Sequence, residues 1–89
     1  MTALVRPRLA RGARLSGDAR TGKPLLLGPE LGLLLDPTAS AIISLCDGTR
    51  DIAAIAGELH RIHPDDDRDA IERDVETFLL ALAHRGLVE

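Results

Sequence analysis

Cys46, His60, His63 and the acidic run Asp65, Asp66 and Asp67 are the side chains of this sequence best suited to nucleophilic or metal chemistry, and each can be judged by its neighbours. A cysteine acts as a nucleophile through its thiolate, which needs a nearby cation, helix N-terminus or general base. Cys46 falls on an apolar stripe with no His or Lys placed in sequence to activate it, so it reads as an inert core thiol. His60 and His63 are three residues apart, but Pro64 follows and no further ligand stands at a matching spacing, so no metal site is expected. The three aspartates lack the glycine and terminal glutamate of a calcium-binding loop and read as a helix cap with solvated loop. The remaining acids are spread over helix surfaces and caps, and no glycine-rich phosphate cradle is present. The residues thus give no catalytic group, no metal and no cofactor, and the expectation is a protein that is not an enzyme.

Binding is the chemistry left, and two segments could support it. Residues 31–35 read LGLLL, with Leu31, Leu33 and Leu35 on one face of a strand and Leu34 beside Gly32 on the other. Such a strand is either buried on both faces or is an open edge, whose unpaired N–H and C=O groups accept a peptide strand. Further on, Ile71, Val75, Phe78, Leu79 and Leu82 recur at helical spacing and form a core stripe. Asp69, Glu72, Glu76, Leu80 and Ala83 lie along one flank of that helix, and Ala70, Asp74 and Ala81 along the other. Leu80, off the stripe and bordered by carboxylates, suits the wall of a groove for an amphipathic peptide. Arg73 points nearly opposite the core and reads as solvated charge, with a peptide contact as the lesser alternative.

The elements that must position these residues follow from the punctuation. Leu9, Ala13 and Leu15 alternate with Arg8 and Arg14, which predicts a strand over residues 8–15, although Arg11 falls on its apolar side. Turn residues over 16–22 (SGDARTG) separate it from a second apolar run at 24–27, and Gly28, Pro29 and Glu30 precede the third strand at 31–35. Asp36 followed by Pro37 opens a helix with the stripe Ala41, Ile42, Leu45 and Cys46, stopped at Gly48. Asp51 caps a second helix carrying Ile52, Ile55, Ala56 and Leu59 and reaching His60 or Arg61, with Gly57 as a weak point inside it. The third helix starts within residues 65–67 and closes at Arg85 and Gly86, after which Leu87 and Val88 fold back onto the core. Three strands before three helices is an α+β order, compatible with a winged-helix-like domain in which a three-stranded antiparallel sheet packs beside a helical trio.

With 89 residues the chain fits one small domain, spanning residues 1–89, with residues 1–8 as a flexible or exchanged arm. One Phe and neither Tyr nor Trp leave a core of aliphatic residues and no platform for stacking nucleobases. Charge is divided unevenly: the first 23 residues hold Arg6, Arg8, Arg11, Arg14, Arg20 and Lys23 against Asp18, whereas the rest carries five bases and thirteen acids. An acidic body with a basic arm favours self-association or a polarised partner over nucleic acid. A DNA-reading helix is opposed by Asp65, Asp66, Asp67, Asp69, Glu72, Asp74 and Glu76 against only Arg68 and Arg73, since counterion release needs the opposite sign. The runner-up readings are weak nucleic-acid binding by the basic arm and an oligomerisation module. One cysteine fits a reducing compartment, and no apolar run approaches a membrane span, so a cytoplasmic location is expected.

Several segments occur in one order: Pro7, Arg8 and Leu9; Arg14 and Leu15; Gly28, Pro29 and Glu30; the apolar run 31–35; Ala39 before Ile42; Leu45, Cys46, Asp47 and Gly48; Phe78 and Leu79; and Arg85, Gly86 and Leu87. In this order and spacing the chain resembles the PqqD family of peptide-binding proteins. Asp36 and Asp51 stand where that family commonly has Asn or another polar residue and a Thr or Ser cap, and both replacements preserve capping. The resemblance implies binding of the ribosomal precursor peptide PqqA and its presentation to the radical S-adenosylmethionine enzyme PqqE, on the way to pyrroloquinoline quinone. It also implies a place for the peptide, as a strand added to the third strand and packed against the third helix. The expected contacts are then Leu31, Gly32, Leu33, Leu34 and Leu35, with Asp69, Glu72, Arg73, Glu76 and Leu80. The open-edge reading of residues 31–35 gains from this likeness. Other modified-peptide pathways use related domains, and a homodimer remains open.

Overall fold

A three-stranded antiparallel meander begins the structure, a computed structural model that describes residues 4–29 and 32–89. Its strands are β1 (Arg14–Gly17), β2 (Pro24–Leu27) and β3 (Gly32–Leu34), in spatial order β1, β2, β3. The first strand is shorter than the alternation predicts. The amide of Ala13 donates to the carbonyl of Ala10 and Gly12 sits at φ 90°, so the chain turns at Arg11 and Gly12 before pairing starts. That turn explains why Arg11 falls out of phase with its neighbours. Ser16 and Gly17, expected in the turn, are paired with Leu25 and Pro24.

Asp18 builds the hairpin loop. Its carboxylate accepts from the Arg20 amide at 3.0 Å and the Thr21 hydroxyl at 3.0 Å, and its backbone pairs with Lys23 and Gly22. Cross-strand register places Leu15, Leu26 and Leu33 on one face, where Leu26 is fully buried. Leu25, Leu27 and Leu34 share the other face with Arg14, Ser16 and Gly32.

Three helices follow: α1 (Pro37–Ser44), α2 (Ile52–Ile62) and α3 (Arg68–His84). Each begins at an aspartate whose carboxylate accepts the backbone N–H three residues on. Asp36 takes Ala39 at 2.7 Å, Asp51 takes Ala54 at 2.8 Å and Asp67 takes Ala70 at 3.2 Å. The first helix stops earlier than its stripe predicts. The amides of Leu45 and Cys46 donate three residues back, to Ile42 and Ile43, tightening the last turn, and Cys46 lies beyond the helix. Ile43 is buried, while Ala41 and Leu45 of the expected stripe are half-buried. Gly48 has the left-handed φ of 84°, but it serves the turn after Asp47 and donates its N–H to the Pro7 carbonyl. Gly86 closes α3 as expected: at φ 75° its amide donates to Ala83, and that of Leu87 reaches back to Leu82.

The core is mainly aliphatic, with Leu26, Leu35, Ile42, Ile55, Leu59, Val75, Leu79 and Leu82 in one cluster that includes Cys46 and has Phe78 packed against it. Leu87 and Val88 join it, held by the N-terminal segment. Arg8 and Glu89 exchange both backbone bonds at 2.9 Å, and Ala10 donates to Leu87. Buried Pro7 and half-buried Leu9 cover this end of the core. Among the described residues no helix is long and apolar enough to cross a membrane.

Candidate functional site

The third strand is the last of the sheet, and among the described residues nothing pairs with its outer side. Residues of an antiparallel strand turn their backbone groups alternately toward and away from the partner. The amide of Leu35 donates to the Pro24 carbonyl at 3.0 Å, so residue 35 faces β2. By alternation Leu33 also faces β2, while Gly32 and Leu34 direct their N–H and C=O groups to the free edge. Leu34 is 63% exposed, whereas Leu33 is half-buried and Leu35 buried. Burial on both faces, the alternative for residues 31–35, is therefore not what the strand does. Leu31 lies outside the described residues.

Beyond β3 the surface is concave on both sides of the α1 N-terminus. On the sheet side, Leu34, Leu35 and Pro24 line a hollow of about 410 Å³ with Lys23, Asp36 and Pro37. On the helical side, a cavity of about 200 Å³ lies between α1, the end of α2 and the first turns of α3. Thr38 and Ile42 come from α1, Leu59, His63 and Asp66 from α2 and its exit loop, and Ile71, Asp74 and Val75 from α3. Pro37 borders one hollow and Thr38 the other, so the two meet at the helix start.

The α3 residues expected at a groove divide by flank. Glu72 pairs with Arg68 at 3.2 Å, and Arg68 also donates to the Ala53 carbonyl of α2 at 2.9 Å, so this flank stands beside α2. Leu80 is 44% exposed, and Asp69, Arg73 and Glu76 are exposed too. None of Asp69, Glu72, Arg73, Glu76 and Leu80 lines the 200 Å³ cavity; the α3 wall there is Ile71, Asp74 and Val75. From the sequence, His63 reads as a candidate metal ligand and Asp66 as part of a helix cap and solvated loop, neither as the rim of a binding cavity. Their convergence with Asp74 depends on how the exit of α2 turns into α3, which no residue spacing gives. The one signal the sequence offers is the placement of Asp74 on the flank of that helix shared with Ala70 and Ala81.

Cys46 is buried, and its thiol donates to the Ile42 carbonyl at 3.2 Å. Burial, helped by the neighbouring Asp47 charge, pushes its pKa up to about 11. The Thr49 hydroxyl and amide, with Arg50 beyond them, hold the Asp47 carboxyl below its ordinary value, which fixes the turn after α1. Among the described residues no three His, Cys, Asp or Glu side chains gather to hold a metal ion.

Comparison with known proteins identifies the family to which this fold belongs. The family model described as coenzyme PQQ synthesis protein D matches residues 25–88, from β2 through all three helices to the C-terminal segment. This chain belongs to the PqqD family. It is 42% identical over 83 residues to a PqqA binding protein of Rhodopseudomonas palustris, covering 93% of this chain and 80% of that one. A PqqA binding protein of Rhizobium meliloti is 37% identical over 82 residues, covering 92% and 83%. The bifunctional coenzyme PQQ synthesis protein C/D of Methylorubrum extorquens is 39% identical over 83 residues, which are 93% of this chain but 22% of that protein. In three dimensions the chain is similar to the solution structure of the PqqD portion of Methylobacterium extorquens PqqCD, described as a functional, stand-alone recognition element for ribosomally synthesized and post-translationally modified peptides. The two share 38% identity and a TM-score of 0.77, covering 93% of this chain and 87% of that one.

Proposed function

We propose that this member of the PqqD family is a cytoplasmic peptide-binding protein of pyrroloquinoline quinone synthesis, holding the precursor peptide PqqA and presenting it to the radical S-adenosylmethionine enzyme PqqE. The observation that carries the reading is the free edge of β3. Gly32 and Leu34 offer backbone donors and acceptors to an added strand, and the apolar hollows beside Leu34, Leu35 and Ile71 receive its side chains. Relatives named as PqqA binding proteins are matched over 80% and 83% of their length. The protein C/D relative carries a matching domain as part of a longer chain, which supports work beside an enzyme. The protein needs no reactive group for this role. It lowers the entropy cost of ordering a flexible substrate before the enzyme meets it.

The test is calorimetric titration with a synthetic PqqA-type precursor. Saturable binding is expected, with random duplex DNA silent in parallel. Leu34→Asp places a charge in the edge and is expected to weaken binding at least about tenfold. Leu34→Pro removes an edge-facing N–H that the sheet itself does not use and is expected to weaken binding as well. Because Leu34 is exposed, both variants should stay folded by circular dichroism. Unchanged affinity in both folded variants would remove β3 from the site.

A further inference from the structure

The 200 Å³ cavity between the three helices has two chemically distinct parts. Its floor is aliphatic, made by the buried side chains of Ile42, Leu59 and Val75. Its rim is polar and open to solvent, with Asp66, Asp74 and His63. Of the neighbouring acids that do not line the cavity, Asp67 caps α3 and Glu72 pairs with Arg68. Asp66 and Asp74, by contrast, take part in no ion pair among the described residues.

Resting on the peptide-binding reading above, we infer that this cavity is a specificity subsite for one lysine or arginine side chain of the bound peptide. Its aliphatic stem lies over Ile42, Leu59 and Val75, and its cation sits at the carboxylates of Asp66 and Asp74. Three features converge on that occupant. The volume is below the roughly 300 Å³ at which pockets for whole drug-sized molecules begin, so it admits a side chain. Lys and Arg are the side chains that bury an apolar stem while keeping a charged head at a polar rim. Finally, residues 65–76 hold seven acids against Arg68 and Arg73, and Arg68 is turned toward Ala53 and Glu72, so the local field favours a cation. The position also fits: the cavity begins at Thr38, next to Pro37 at the end of the β3 hollow, where a strand lying along β3 arrives at the helices.

The test is a double-mutant cycle by calorimetry. The precursor peptide is prepared with each Lys replaced in turn by norleucine and each Arg by citrulline, which keep the stem and remove the charge. Each peptide is titrated against the unmodified protein, Asp74→Asn and Asp66→Asn. Both aspartates are exposed, so the Asn variants are expected to melt as the parent does. One peptide position is expected to lose about fivefold to tenfold in affinity when neutralised, Asp74→Asn to lose a similar factor, and the combination to lose no more than either alone. Binding of the parent peptide with unchanged affinity in both Asn variants would overturn the subsite while leaving the peptide-binding reading intact. So would losses that multiply independently at every position. If the unmodified protein bound no precursor at all, the peptide-binding reading would fail first and take the subsite with it.

Discussion

Cys46 shows how a single side chain can look reactive and be structural. Sequence reasoning assigned it to the core because nothing nearby could activate it, and the buried thiol with its bond to the Ile42 carbonyl agrees. A pKa pushed up to about 11 from 9.0 has a definite sign. Below about 9 the thiol is protonated in both folded and unfolded chains and adds no pH dependence. As the pH climbs from about 9 to about 11, the unfolded chain releases that proton before the folded one does, so stability is expected to fall. Urea midpoints across that interval should drop in the parent and drop less in Cys46→Ala. A thiol reagent at neutral pH should find Cys46 only after denaturant is added. Rapid labelling of the native protein would contradict the burial on which this rests. Leu34 is the converse case, a large apolar side chain left exposed on the outer edge of the sheet, where the proposed peptide strand would meet it.

At the scale of elements, the helices were more legible than the strands. Asp36 and Asp51, and a cap within residues 65–67, are legible because capping needs only a short side chain at one position before an apolar period; Asp36, Asp51 and, of the three candidates, Asp67 accept the N–H three residues on. Removing one, as in Asp51→Ala, is expected to cost about 1 kcal/mol in denaturant unfolding. The first strand is shorter than its alternation predicts because the pattern over residues 8–15 persists through the turn at Gly12, where pairing is interrupted by a backbone conformation rather than by a change of hydrophobicity. The split of α3 into a flank beside α2 and a flank beside the cavity was also hidden, since spacing fixes which residues share a face but not which neighbour that face meets. Gly57 carries a prediction of its own. A Cβ built there would have its nearest neighbour, Arg68 Nη2, at 3.9 Å, an ordinary contact, so Gly57→Ala has room. It is expected to stabilise the protein by roughly 0.5–1 kcal/mol through helix propensity, provided Arg68 keeps its bond to Ala53. A destabilised Gly57→Ala would mean that Arg68 cannot yield even slightly.

For the molecule as a whole, the question is whether the N-terminal segment belongs to its own chain. Within one chain, Arg8 pairs with Glu89 through both backbone bonds and a 3.2 Å side-chain ion pair, Gly48 donates to Pro7, and Ala10 donates to Leu87. The exposed ion pair adds little, so the backbone ladder and the burial of Pro7 against the core do the holding. A domain of this size has little stability to spare, and exchanging such a segment between two copies would preserve every one of these bonds while linking folding to association. The two arrangements differ in mass action. If the ladder closes within the chain, the melting temperature is expected to stay constant over a hundredfold range of protein concentration; if it is exchanged, the melting temperature must rise with concentration. Cutting the chain after Ala10 removes the cover over Leu87 and Val88 in either case and is expected to lower stability by about 2 kcal/mol or more, because apolar core surface returns to water. The concentration series on the full chain therefore decides between them, and a constant midpoint would leave β3 and the helical cavity as sites that each molecule carries alone.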